Sequence, residues 1–257
     1  LLQPYVRQIT GNDSIALGHF GSIGYFTSAF LAKRVGDKSK STEDIKVPKS
    51  LGFLRDTSVA MSLTMTILFL IVAPIAGKRF VEAELSSGTN FLVFSFMQAI
   101  TFAAGVYIVL AGVRMLIAEI VPAFKGIADK VVKDAKPALD APAVFPFAPN
   151  AVIIGFLSSF LAGALSMFIL PILGLKIIVP GLIPHFFTGA AAGVFGNATG
   201  GRRGAIIGAF ANGLLISFLP ALLLPVLGSL GFEGTTFGDS DFGVVGILIS
   251  FIIKLFT

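Results

Sequence analysis

The chain has 257 residues, 55% of them hydrophobic and 13% charged, about half the charged share of a soluble domain. That balance excludes an ordinary water-soluble enzyme and points to an all-α integral membrane protein. The 29 Gly and 13 Pro lie inside apolar runs, where they interrupt membrane helices rather than mark disorder.

With no Cys and two His, a disulfide or a phosphocysteine on this chain is excluded and a zinc site is disfavoured, and no cofactor is expected. The net charge of +5 is unevenly spread, which reads as membrane orientation before nucleic-acid binding. The chain starts at Leu1 without Met or a basic leading region, so it reads as part of a longer protein rather than as one opening on a signal peptide.

A spanning helix needs about 20 mostly apolar residues. In chain order, Ser14 to Ala32 is apolar but holds His19 among glycines and reads as a hairpin or the end of a span. Lys33, Arg34, Lys38, Lys40, Lys46, Lys49 and Arg55 then make residues 33–56 a cytoplasmic loop. Thr57 to Gly77 and Phe91 to Val113 are clean spans within residues 57–118, and Arg114 and Glu119 are explained by the cytoplasmic end of the second. Residues 119–138, with Lys125, Lys130, Lys133 and Lys136 opposite an apolar face, predict an interfacial amphipathic helix against lipid.

In residues 139–201, Pro142, Pro146 and Pro149 predict a non-helical entry to a span beginning near Ala151. Pro180, Gly181 and Pro184 make Ile177 to Gly201 at least as good a re-entrant hairpin as a crossing. Residues 202–257 supply a span from Gly204 to Phe232, bent at Pro220 and Pro225, an acidic outer turn with Glu233, Asp239 and Asp241, and a short helix from Phe242 to Phe256.

Backbone broken at membrane depth must be surrounded by protein or line a cavity, so broken segments carrying a rare polar group are candidate substrate sites. Asp140 opens a long charge-free run and is the strongest of these, with an interfacial cap as the bland alternative. His19 reads equally as a packing imidazole or as a substrate ligand. His185, after Pro184, is the weaker histidine. Asn150 and Asn197 are expected to satisfy broken backbone. No Walker lysine, nucleophile elbow or metalloprotease helix is present, so the chain does not power transport by its own chemistry.

The runs FPFAPNAV from Phe145, IVPGLIPHFF from Ile178 and GVFGNATGG from Gly193, with KSTEDIKVPKSLGFLRD from Lys40 and ALDAPAVFPFAPN from Ala138, resemble the ascorbate-type enzyme IIC of the bacterial phosphotransferase system. The resemblance covers nearly the whole chain, and this chain resembles the C-terminal half or somewhat more of such a protein. It implies a homodimeric inner-membrane carrier with a core domain holding two re-entrant hairpins, a V-shaped domain and inverted repeats. It also implies IIA and IIB partners, with a IIB phosphocysteine phosphorylating the substrate after inward release, so the phosphoryl-transferring Cys sits on another chain.

By motif position, His19 corresponds to the family's Gly-His histidine and Asp140 to its hairpin aspartate. Phe20, Gly21 and Ser22 stand where ascorbate transporters carry glutamines, so Phe20 falls at a substrate-contact position and the substrate is ascorbate or a related polyol, pentose or sugar acid. The expected mechanism is alternating access. The rivals are a proton-coupled secondary carrier, in which Asp140 takes up and releases the proton, and a membrane scaffold that docks partners through its lysine-rich loops.

Overall fold

The computed structural model describes residues 1–46, 50 and 57–256. Lys49 and Arg55 of the basic stretch, and part of the motif from Lys40, lie outside the described residues. The described chain is almost wholly helical. Its elements are α1 (Gln3–Thr10), β1 (Ala16–Leu17), α2 (Ser22–Val35), α3 (Thr57–Ala76), the turn α4 (Lys78–Phe80), α5 (Phe91–Lys130), β2 (Ala138–Leu139), α6 (Pro149–Ile172), α7 (Leu182–Gly228) and α8 (Ser240–Lys254). Single turns at Thr42–Asp44 and Val81–Leu85 and a 3₁₀ helix at Ala141–Phe147 complete the set. Among the described residues, Ser58–Ala76, Phe91–Lys130, Pro149–Ile172 and Leu182–Gly228 are long and apolar enough to cross a bilayer.

The chain divides into two compact units, residues 46–116 and residues 1–45 with 117–257. The first holds α3, α4 and the start of α5. Met61, Met65, Val81, Ala99 and Ala103 are buried there, while Ile71 and Ile75 are exposed, as expected of surfaces facing lipid. Helix α5 runs unbroken for 40 residues through Pro122, so residues 119–130 continue a spanning helix instead of forming a separate amphipathic one. The stretch RMLIAE after Val113 is made of good helix formers, and nothing in it stops the helix.

The second unit is assembled on small residues. Helix α7 reverses at Gly200–Gly201, where Gly201 takes φ 60°, ψ −151°, a region open essentially only to glycine. Beyond the reversal the two arms run back along each other: a β-carbon on Gly196 would strike the Gly204 carbonyl, and Asn212 Nδ2 donates to Thr188 Oγ1 at 3.1 Å. The glycine-rich end of the apolar run therefore forms a helical hairpin. Helix α2 lies antiparallel on the second arm, with Ser28 opposite Gly208, Ala32 opposite Gly204 and Gly36 opposite Gly200. Helix α6 pairs the same way with the first arm, Gly155 against Gly193 and Gly163 against His185. Backbones approach this closely only where side chains are absent.

The reversal leaves no frayed backbone. Asp37 N–H donates to the Gly200 carbonyl at 2.9 Å, Arg202 N–H donates to the Lys40 carbonyl at 2.8 Å, and Arg202 Nε donates to the Ser41 carbonyl at 2.9 Å. Residues 37–41 thus supply partners for the backbone at the break.

Candidate functional site

Two chain tips meet at the other end of this unit. Strands β1 and β2 pair in parallel, Ala16 with Ala138 and Leu17 with Leu139. Two residues beyond β1 stands His19, and one beyond β2 stands Asp140, so the pairing delivers the imidazole and the carboxylate to one place. The junction is fastened by Asp13, which accepts from Lys136 Nζ at 2.5 Å and pairs with Arg7 at 2.9 Å. Lys136, the Gln3 amide that donates at 2.6 Å and Arg7 together hold the Asp13 carboxyl down at about 2.

His19 Nε2 lies 3.5 Å from Asp140 Oδ1 and 3.6 Å from Asp239 Oδ1. Both distances are longer than a direct hydrogen bond. On the other side of the ring, Nδ1 faces the Gly21 N–H at 3.1 Å and the Tyr25 hydroxyl at 2.7 Å. Asp140 also caps the 3₁₀ helix Ala141–Phe147 by accepting from Ala141 N–H at 2.7 Å, so its cap geometry and its exposure to the cavity coexist. Asp239 occupies the cap position of α8 but makes no capping bond with its side chain, which leaves its carboxylate turned to His19. Burial pushes the Asp239 carboxyl above the usual range; the His19 ring opposes that rise, and the charges of Asp140 and Asp241 add to it.

These groups line a cavity of about 280 Å³ with Ile183, Pro184, Phe187, Thr188 and Gly238. The Thr188 hydroxyl is already engaged, donating to the Pro184 carbonyl at 2.9 Å and accepting from Asn212. The wall therefore presents one imidazole edge, two carboxylates and an aromatic ring. That combination suits a small molecule bearing several hydroxyls: carboxylates accept from hydroxyls, and Phe187 offers a face to a ring's C–H surface.

Asp239 is held in place by its neighbours. Asp241 accepts from the Ser22 and Ile23 N–H groups at 3.1 and 2.8 Å, and the Ser240 hydroxyl accepts from Gly24 N–H at 3.0 Å. The carboxylate satisfies the free N–H groups at the positive end of α2, and the Asp241 N–H donates to the Phe20 carbonyl at 2.9 Å.

The other sequence-singled residues lie elsewhere. His185 is buried between α6 and α7, 2.9 Å from the Ser159 hydroxyl, because the absence of a side chain at Gly163 makes room for its ring. It does not line the cavity. Phe20 packs tilted against Phe242, ring centres 4.7 Å apart, in an apolar groove beside α8 and does not line the cavity. Asn150 and Asn197 sit at the far end. Asn197 accepts from Thr42 N–H at 2.8 Å, Asn150 Nδ2 donates to the Thr42 carbonyl at 3.1 Å, and Glu43 accepts from the Asn150 and Ala151 N–H groups at 3.2 and 3.1 Å, capping α6. Sequence reading missed Asp239, Thr188 and Tyr25. The available signal was the Gly-Asp-Ser-Asp opening of α8, read only as an acidic turn.

Comparison with known proteins places these features in a family. The family described as PTS system sugar-specific permease component, EIIC-GAT, matches residues 1–241. A curated relative from Mycoplasma pneumoniae (strain ATCC 29342 / M129 / Subtype 1), named ascorbate-specific PTS system EIIC component, is 33% identical over 228 residues. The match covers 78% of this chain and 34% of that relative, so the chain spans about a third of the relative's length.

Proposed function

The chain belongs to the EIIC-GAT family, the sugar-specific permease components of the PTS system, and from that premise we propose that it contributes the substrate-holding part of a carrier for L-ascorbate or a closely related hydroxylated compound. The observation that carries this reading is the meeting of His19, Asp140 and Asp239 over one cavity at the joined chain tips. A ligand hydroxyl seated on the cavity side of Nε2 and a carboxylate oxygen accepts from the ring and donates to the carboxylate. Asp140 and Asp239 orient the substrate, His19 anchors one oxygen, and Phe187 covers a face.

The second unit turns the substrate from one side of the bacterial inner membrane to the other by alternating access, in a homodimer. A IIB subunit charged through IIA then transfers a phosphoryl group from its cysteine to a substrate hydroxyl and so prevents return. No residue of this chain takes part in that transfer.

The test is uptake of labelled ascorbate by cells carrying the whole permease, with and without the soluble phosphotransferase proteins and with polyols and sugar acids as competitors. Phosphoenolpyruvate-dependent uptake giving phosphorylated ascorbate, impaired about 10- to 100-fold in His19→Ala and Asp140→Asn through loss of charged hydrogen bonds, is the expected result. Competition by another compound alone removes ascorbate and leaves the family.

A second reading, proton-coupled carriage, rests on Asp239, whose half-buried carboxyl holds its proton more readily than an ordinary aspartate. It requires uptake that collapses with the proton gradient, needs no phosphoenolpyruvate, and loses its pH dependence in Asp239→Asn.

A further inference from the structure

We infer that Tyr25 and the Gly21 N–H set the tautomer of His19, making its cavity edge a hydrogen-bond donor and Tyr25 a positioning residue for the substrate site. The inference rests on the proposed role of His19 only for its consequence in binding; the tautomer itself follows from local geometry. A backbone N–H can only donate, so the Gly21 N–H at 3.1 Å requires Nδ1 to be the bare nitrogen. The Tyr25 hydroxyl, 2.7 Å from the same atom, then donates as well. Nε2 carries the ring hydrogen and directs it toward Asp140 and Asp239.

Tyr25 is well placed to enforce this. It is fully buried in α2, stacked on Phe195 with ring centres 5.5 Å apart and beside the imidazole at 5.7 Å. Among the described residues its hydroxyl bonds to no other side chain or backbone group, so swinging away from Nδ1 would leave a buried polar group unsatisfied. Gly21 belongs to the same device. A β-carbon there would come within 2.7 Å of the Tyr25 Cζ and hydroxyl and 3.0 Å of His19 Nδ1, so the tyrosine reaches the ring only because position 21 has no side chain. This is one of the positions where the resemblance led us to expect a glutamine; here the chain trades that amide for space.

The consequence is a polarity rule for the ligand. With Nε2–H as the donor and two carboxylates as acceptors, the group seated at His19 must accept, and those at Asp140 and Asp239 must donate. A substrate oxygen that only accepts fits at the imidazole and not at an ionised Asp140 or Asp239.

The decisive measurement is the ¹⁵N spectrum of histidine-labelled intact permease in nanodiscs, with the His19 signals identified by their loss in His19→Gln. We expect Nδ1 to resonate as a bare, hydrogen-bond-accepting nitrogen and Nε2 as a protonated one; a proton on Nδ1 of the unmodified protein overturns the inference whatever the variants do. Tyr25→Phe removes only the hydroxyl. It is expected to shift Nδ1 toward the free-nitrogen position and to weaken ascorbate binding about 3- to 10-fold, the size of one neutral hydrogen bond. An unmoved Nδ1 signal in folded Tyr25→Phe overturns the role of Tyr25. Failure of ascorbate to bind the unmodified protein, with the tautomer as described, counts against the transport substrate and not against the tautomer.

Discussion

The unit formed by residues 1–45 and 117–257 breaks its helices at two ends, and the two breaks are finished in opposite ways. At the Gly200–Gly201 reversal the polar groups close on one another: Asn197 on Thr42, Asn150 on the Thr42 carbonyl, Glu43 on the start of α6, Arg202 on Ser41. At the joined tips they stop short: His19 Nε2 is 3.5 and 3.6 Å from two carboxylates that face a cavity. Composition alone does not separate these ends, since both are rich in Gly, Pro and rare polar residues. What separates them is how much of each polar side chain the protein's own backbone consumes: Asp140 accepts from Ala141 N–H and His19 Nδ1 from Gly21 N–H, but Nε2 and the Asp239 carboxylate are left to hold a ligand.

The largest expected effect comes from attacking the packing on which both ends depend. In Gly155→Val the new side chain would meet the Gly189 carbonyl and the Gly193 backbone, and neither can yield without parting α6 from α7. We expect a loss of about 3 kcal/mol or more, seen as disappearance of the monodisperse peak in fluorescence-detected size exclusion. Gly105→Ala in α5, where a β-carbon meets nothing within 4 Å, is the matched control and leaves the peak intact.

The comparison itself is tested by exchanging one polar group at each end. Asn197→Ala strands the Thr42 N–H and removes the amide contact to the Ser41 hydroxyl, so it costs about 1–3 kcal/mol of stability and lowers the melting temperature without raising the KM for uptake. Asp239→Asn does the reverse: KM rises about 10-fold or more, and the melting temperature holds or increases because a half-buried charge beside two other carboxylates is removed. Equal effects of both variants on stability and KM would erase the distinction between the ends. Glu43→Gln is milder: the carboxylate accepts from Asn150 N–H with one oxygen and from Ala151 N–H with the other, and an amide keeps only one acceptor, so losing the second bond and the charge at the N-terminus of α6 costs about 1–2 kcal/mol, readable as a melting shift.

Much of this was written in the sequence. The charge-free runs gave the helices, Pro142 to Pro149 marked the break before α6, where a 3₁₀ helix stands in place of the expected non-helical entry, and His19 and Asp140 were singled out as rare polar groups in broken apolar sequence and meet at one cavity. What could not be read was pairing across distance. Asp241 reaches α2 across 218 residues, and Glu43 caps α6 across 107; no local pattern encodes such partners. Tyr25 looked like one more aromatic in an apolar helix, because only the geometry brings its hydroxyl to the imidazole. His185 carried the same signal as His19, a histidine beside Pro or Gly, yet the bare flank of Gly163 absorbs it into the core.

The smallest expected effect concerns the fastening of the tips. Asp13 holds Lys136 and Arg7, and its carboxyl is lowered to about 2 from an ordinary 3.8. A carboxylate with a depressed folded-state value adds stability that is fully present above the ordinary value and is lost as pH falls toward the depressed one. The window is therefore pH 4 down to 2, and melting curves through it should show a component in the unmodified protein that is missing in Asp13→Asn. Its size is limited because the carboxylate is partly solvent-exposed and such pairs are weakened by water and salt; raising the salt should shrink the component further. If the tips are instead held mainly by the β1–β2 pairing and by Asp241 on α2, Asp13→Asn will melt like the unmodified protein at every pH while substrate affinity stays unchanged. That outcome would assign the alignment of His19 with Asp140 to backbone pairing alone.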